Sequence, residues 1–426
     1  MTGGARVGRP APAALVASYF LAALLAWLAA TIALVAAAPQ LADAGVASPE
    51  VLLAVHLVGL GFLPLAVTGA VLHVLPTLLR NDACPARGWA ALPLLCGGPV
   101  LAFAIAHDHD RLTWIAAAAE TAGFVVVAWE IVTLVVQAPH DRMLLASRFG
   151  ILLSTFNAAA ALAVGAGLAD RGFRPLLGIP HDRAIGIHLN LAILGWLTLL
   201  IVTVGRTLTP MLSLAPATPR RRLPVEELVL TVGLWILVAG LALGTRAPMI
   251  VGALLVVGAI AFFAVMTVRI ARQHRMEGIE GPLTHVVTGM FFLGQAAILG
   301  IGMLFGLEAS PARLTAYVVA LLVGWAGGVT LGHLGKLLSL SAWTWWPPGP
   351  RPKQAELYPR RIWLAEAIVF AVGIELLVNG VLAGSEAVVG LAGLLLVGAA
   401  ATALVGAGLT VHAGRRALRP ERALVS

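Results

Sequence analysis

The chain has 426 residues, of which 60% are hydrophobic and only 11% charged, and its mean hydropathy is +0.94; soluble domains carry roughly 25% charge. Most of the surface is therefore matched to lipid, and at about 20 residues per span the length accommodates twelve or thirteen spans and no separate soluble domain. The net charge of +8 is explained by basic loops beside anionic lipid and requires no nucleic acid.

Arg6 and Arg9 precede an apolar run over 12–38. That run is too long for a secretory signal and is expected to remain as a first membrane helix. Further apolar segments, separated by Pro, Gly and charge clusters, follow at 50–79, 88–107, 112–137, 145–168, 183–212, 226–244, 247–271, 283–306, 312–340, 360–383 and 386–411. The expected fold is all-α and polytopic, with about twelve transmembrane helices in a single membrane domain spanning 1–426. Cys84 in a short loop and Cys96 inside a span form neither a disulfide framework nor a CxxC metal site.

If the N-terminus and every second loop share one face, that face holds all but six of the 28 Lys and Arg residues; the six are Arg111, Arg171, Arg174, Arg183, Arg246 and Arg313. One missed helix would scramble this asymmetry, so the positive-inside rule places both termini in the cytoplasm of an inner (plasma) membrane protein.

A pattern recurs every four helices. Helix two has Gly61-Phe62 with Pro76 fifteen residues after the glycine, helix six has Gly195-Trp196 with Pro210, and helix ten has Gly324-Trp325 with Ser339 at the same distance. The glycines are 134 and 129 residues apart, which predicts three pseudosymmetric four-helix repeats over about 12–137, 145–271 and 283–411. A ring of twelve helices is the expected arrangement.

The repeat also gives relative depth, and with it a sorting of the eleven histidines. His56 and His188 lie five and seven residues before their glycines, in the outer half; His107, His109 and His181 fall toward the same face. His73 and His333 lie twelve and nine residues after theirs, toward the cytoplasm, with His285, His140, His274 and His412. At about 1.5 Å per residue, His56 and His333 differ in depth by roughly 20 Å and cannot be the two axial ligands of one haem. The depth-compatible pairs are His56 with His188 and His73 with His333. Imidazole in lipid needs a partner, either a metal or a helix-to-helix hydrogen bond. Histidines at helix ends suit the solvated headgroup layer instead.

Four carboxylates also fall inside spans: Glu120 and Glu130 in helix four, and Glu366 and Glu375 in helix eleven. Glu120 and Glu375 sit at similar depth and form a candidate proton path, with a structural hydrogen bond as the competing role. Trp343, Trp345 and Trp346, before Pro347 and Pro348, suit an interfacial belt. Lys336 reaches toward either a lipid phosphate or a haem propionate.

The segments His56-Leu-Val-Gly-Leu-Gly-Phe…Pro76, His188-Leu-Asn-Leu-Ala-Ile-Leu-Gly-Trp…Pro210 and Gly332-His333-Leu-Gly-Lys336…Trp343 resemble subunit I of haem-copper oxidases. The spacing around His56 and the run His188…Thr198…Thr203…Arg206 are also similar to NnrS-type proteins, haem- and copper-containing membrane proteins linked to nitric oxide metabolism. The resemblance covers helices two to ten. It implies haem b, with copper as a further metal, held by His56, His188, His73 and His333 for the cofactor and by His56, His188 and His181 for the metal. It also implies a gas ligand, nitric oxide or oxygen, and a role in nitric oxide handling or electron transfer. Helix seven lacks the oxidases' adjacent histidine pair, helix ten lacks a His-x-His near its outer end, and helix six lacks a tyrosine near His188. An oxidase-type binuclear centre is therefore not expected. A proton-coupled transporter using intramembrane Glu and His is the alternative, although transporter repeats come in two halves.

Overall fold

The computed structural model describes residues 8–43, 48–141, 144–169, 178–213, 215, 224–273, 280–347 and 350–417. Arg6, Arg171, Arg174, His274 and Pro348 lie outside them.

Among the described residues twelve helices are long and apolar enough to cross a membrane: α1 (Ala13–Ala36), α2 (Pro49–Leu79), α3 (Pro85–Ala106), α4 (Asp110–Val136), α5 (Leu145–Ala169), α6 (His181–Met211), α7 (Val225–Leu243), α8 (Arg246–Ile270), α9 (Gly281–Leu304), α10 (Pro311–Thr344), α11 (Arg360–Ala383) and α12 (Glu386–Gly414). The protein is thus a polytopic helical membrane protein, and each helix matches one segment read from hydropathy. In lipid the backbone must satisfy its own polar groups, which an unbroken helix does.

The helix ends follow local chemistry. Ser48 caps α2 by accepting the Val51 N–H at 3.3 Å, with Pro49 next and Glu50 in the first turn. At the other end of α2, Arg80 takes the left-handed conformation, φ 54°. Gly244 and Gly384 close α7 and α11 in the same region, φ 68° and 63°.

α2, α6 and α10 each widen into a π-helical stretch, at Leu57–Phe62, Leu191–Thr198 and Val319–Gly327. Each stretch contains the glycine–aromatic pair noted in the sequence. A wide turn releases carbonyls from the regular ladder, and they need other donors. On α6 they are met from α5, where Asn157 Nδ2 donates to the Gly195 carbonyl at 3.1 Å and Ser154 Oγ to the Trp196 carbonyl at 2.9 Å. Asn157 Oδ1 in turn accepts the Trp235 indole N–H of α7 at 3.1 Å.

The chain divides into two compact units. The first comprises 1–130, 279–289 and 311–426, and the second 131–278 and 290–310. Most of the first and third sequence repeats therefore fall in one unit and the second repeat in the other. In the first unit α10 is the most enclosed of the twelve spans, packed against α1, α2, α11 and α12. In the second, α5 packs along α6, and α7 along α8.

Candidate functional site

His56 is half-buried on α2, and its Nδ1 donates to the Leu52 carbonyl at 2.8 Å. A carbonyl only accepts, so Nδ1 carries the hydrogen and the neutral ring keeps its lone pair on Nε2. Fixing one imidazole nitrogen on a backbone carbonyl while the other stays available is the usual way a metal-binding histidine is oriented. His333 on α10 repeats this arrangement on the Val329 carbonyl at 2.7 Å. Both residues are half-buried among the helices of the first unit. Tyr317 of α10 is placed likewise. One turn beyond His56, a Cβ added at Gly59 would meet nothing within 4 Å.

His188 belongs to the second unit, where its Nδ1 donates across to the Ala161 carbonyl of α5 at 2.9 Å and its ring rests on Gly165. His181 is the first residue of α6 rather than a loop residue, and is exposed. It stands two turns from His188, about 10 Å along the helix axis. His73 is buried on α2, and its Nδ1 has no hydrogen-bond partner. His107 ends α3 in the open, stacked on Phe103 at 4.2 Å, as a headgroup-level histidine would be.

Among the carboxylates, Glu120 is buried between α3 and α2, with Oε2 unpartnered beside Gly98. Glu375 is half-buried on α11 and accepts from Asn379 Nδ2 of its own helix at 2.9 Å. Glu130 is a structural clamp: it accepts the Cys84 backbone N–H and the Arg87 guanidinium, each at 2.8 Å. Arg206 of α6 pairs with the buried Glu226 that opens α7 and lies over Phe262.

Among the described residues, several buried ionisable side chains gather where α9 begins, α10 ends and α11 begins. His285 Nε2 and Glu366 Oε2 are 2.8 Å apart, and both side chains are 0% exposed. Beside them Lys336 Nζ donates to Glu280 Oε2 at 2.8 Å and sits 4.7 Å from the Tyr358 ring centroid. Tyr358 stacks on Trp363 at 6.4 Å between centroids. Burial pushes the Tyr358 phenol well above its ordinary range; the Glu280 and Glu366 carboxylates push it further and Arg360 opposes them. His285 Nδ1, Glu366 Oε1, Tyr358 Oη and Trp363 Nε1 are buried with no hydrogen-bond partner.

α10 makes room for this group with glycines on one face. A Cβ at Gly332 would lie 2.4 Å from His285 Cβ, and one at Gly335 2.4 Å from the Trp363 ring. The sequence contains these residues, but the pairing of His285 with Glu366 joins positions 81 apart and has no motif. The available signal is Gly328, Gly332 and Gly335 at helical spacing ahead of Lys336, a strip of missing side chains that something large must fill.

Among the described residues no three His, Cys, Asp or Glu side chains gather closely enough to hold a metal ion. No protein-family model and no curated protein matches the sequence.

Proposed function

We propose that the protein is a haem-binding membrane protein of the oxidase or NnrS kind, acting in electron transfer or nitric oxide handling, with both termini cytoplasmic. The observation that carries this reading is His56: a half-buried imidazole on a membrane helix, fixed through Nδ1 on the Leu52 carbonyl, with nothing within 4 Å of a Cβ built at Gly59 one turn along. An imidazole inside a membrane span is costly unless it meets a partner, and a haem iron is such a partner. His188 is the corresponding ligand proposed in the second unit. The short resemblances around His56, His188 and His333 support the same reading, and the skew of basic residues to one face supports the orientation.

When bound, haem would supply reversible one-electron chemistry or gas ligation. The residues of this chain would orient the ring nitrogen and keep lipid and water from it. Copper fits less well, since no three-ligand group is present among the described residues. The second reading, a proton-coupled transporter, draws on Glu120, whose buried Oε2 has no partner.

Protein purified from native membranes is expected to show a Soret band that His56→Ala removes while the variant still inserts and remains monodisperse. Full haem content per chain in His56→Ala would overturn the assignment to His56, and a colourless wild type would overturn the reading as a whole.

A further inference from the structure

We propose that the His285–Glu366 and Glu280–Lys336 pairs, with Tyr358 against Lys336, form a buried site that takes up and holds a proton from the membrane face at which α9 and α11 begin. The site stands on its own geometry and does not depend on haem being bound.

His285 and Glu366 are the innermost pair, with no exposed side-chain surface. With imidazole beside carboxylate the pair carries a net charge of −1, and with one more proton it is neutral. In a dry site the charged form is penalised heavily unless a counter-ion lies close. Lys336, a cation of the group, is paired with Glu280 at 2.8 Å. Uptake of one proton therefore removes an uncompensated buried charge, and that proton would be held between Glu366 Oε2 and His285 Nε2.

The groups facing the pair come from every element around it: Glu280 on α9, His333 and Lys336 on α10, Tyr358 before α11 and Arg360 at its start. α12 places Gly406 against Trp363, and its Thr410 Oγ1 donates to the Leu357 carbonyl at 3.1 Å. The Glu280–Lys336 pair is the less enclosed of the two, 14% and 7% exposed, so it lies on the path from bulk water. Tyr358 lies against Lys336, its ring centroid 4.7 Å from Nζ, and stacks on Trp363. In the step proposed, a hydronium ion on that face gives up a proton, Glu366 Oε2 accepts it while hydrogen-bonded to His285 Nε2, and water returns to bulk. No electron moves.

A structural clamp would show the same contacts but would not exchange its proton with bulk water. Infrared spectra of the full-length protein in lipid nanodiscs, titrated in H2O and in D2O, separate the two. The expected result is the carbonyl band of a protonated carboxylic acid that shifts in D2O, fades as pH rises and is lost in Glu366→Gln. Tyr358→Phe, which keeps the ring stack and the cation contact, is expected to slow deuterium exchange into that band. A Glu366→Gln spectrum superimposable on wild type at every pH would overturn the proposal. So would a Glu366 band in the wild type alone that neither shifts in D2O nor responds to pH, a measurement that needs no variant to fold.

Discussion

Glu366→Leu is expected to lower the stability of the folded protein by about 1–3 kcal/mol, the cost of leaving a buried polar group without its hydrogen-bond partner. The loss arises because His285 keeps its place. Its Cβ is pressed against Gly332 and its ring against Phe370, with centroids 5.1 Å apart. It therefore cannot swing out to water, and both ring nitrogens are left without a hydrogen-bond partner in an apolar surround. The double variant His285→Leu, Glu366→Leu removes both polar groups and fills similar volume, so it is expected to recover most of what Glu366→Leu loses. Thermal unfolding in one detergent, run as a double-mutant cycle, measures the difference. Single losses that simply add would show that the two side chains do not act together.

The second large effect is expected at Gly98. A Cβ built there lies 1.9 Å from the Leu60 carbonyl oxygen and 3.2 Å from Glu120 Oε2. The Leu60 carbonyl belongs to the π-helical stretch of α2, so the obstacle is backbone and cannot rotate aside. Gly98→Val must push α3 off α2, at a cost of about 1–3 kcal/mol or more, as for other overpacked interiors. The neighbouring Gly97 is the control: its added Cβ would sit 3.4 Å from Ala119 Cβ, an ordinary contact. Gly97→Ala is therefore expected to change stability by no more than about 0.5 kcal/mol. Equal losses at the two positions would place the cause in the helix itself rather than in contact with α2. Because Gly98 also roofs Glu120, the valine variant is expected to disturb that carboxyl together with the fold.

Much of the architecture was legible before any coordinates. Hydropathy alone placed all twelve spans, with ends within a few residues of those observed, because a membrane helix must be both long and apolar and few other structures meet both demands. The glycine–aromatic pairs at 61–62, 195–196 and 324–325 also marked something real, since each lies inside a widened turn. The widening was not legible, because a π-helical stretch has no hydropathy signature and depends on donors such as Asn157 and Ser154 arriving from another helix.

The polar residues divide in the same way. Sequence spacing gave His56 an expected depth on helix two; it could not say that Nδ1 is committed to the Leu52 carbonyl. His285 read as one histidine among several near the cytoplasmic end, and Glu366 as one of four acids inside spans. Only the packing of α9, α10 and α11 brought them to 2.8 Å and sealed them from solvent. Length, hydropathy and charge placement are properties of each segment by itself, so the sequence determined the number of spans, their limits and an expected orientation. Which buried imidazole meets which carboxylate depends on how separate helices are rotated and staggered against one another, and the tertiary structure alone decided it, through glycines such as Gly332 and Gly335 that let bulky neighbours approach.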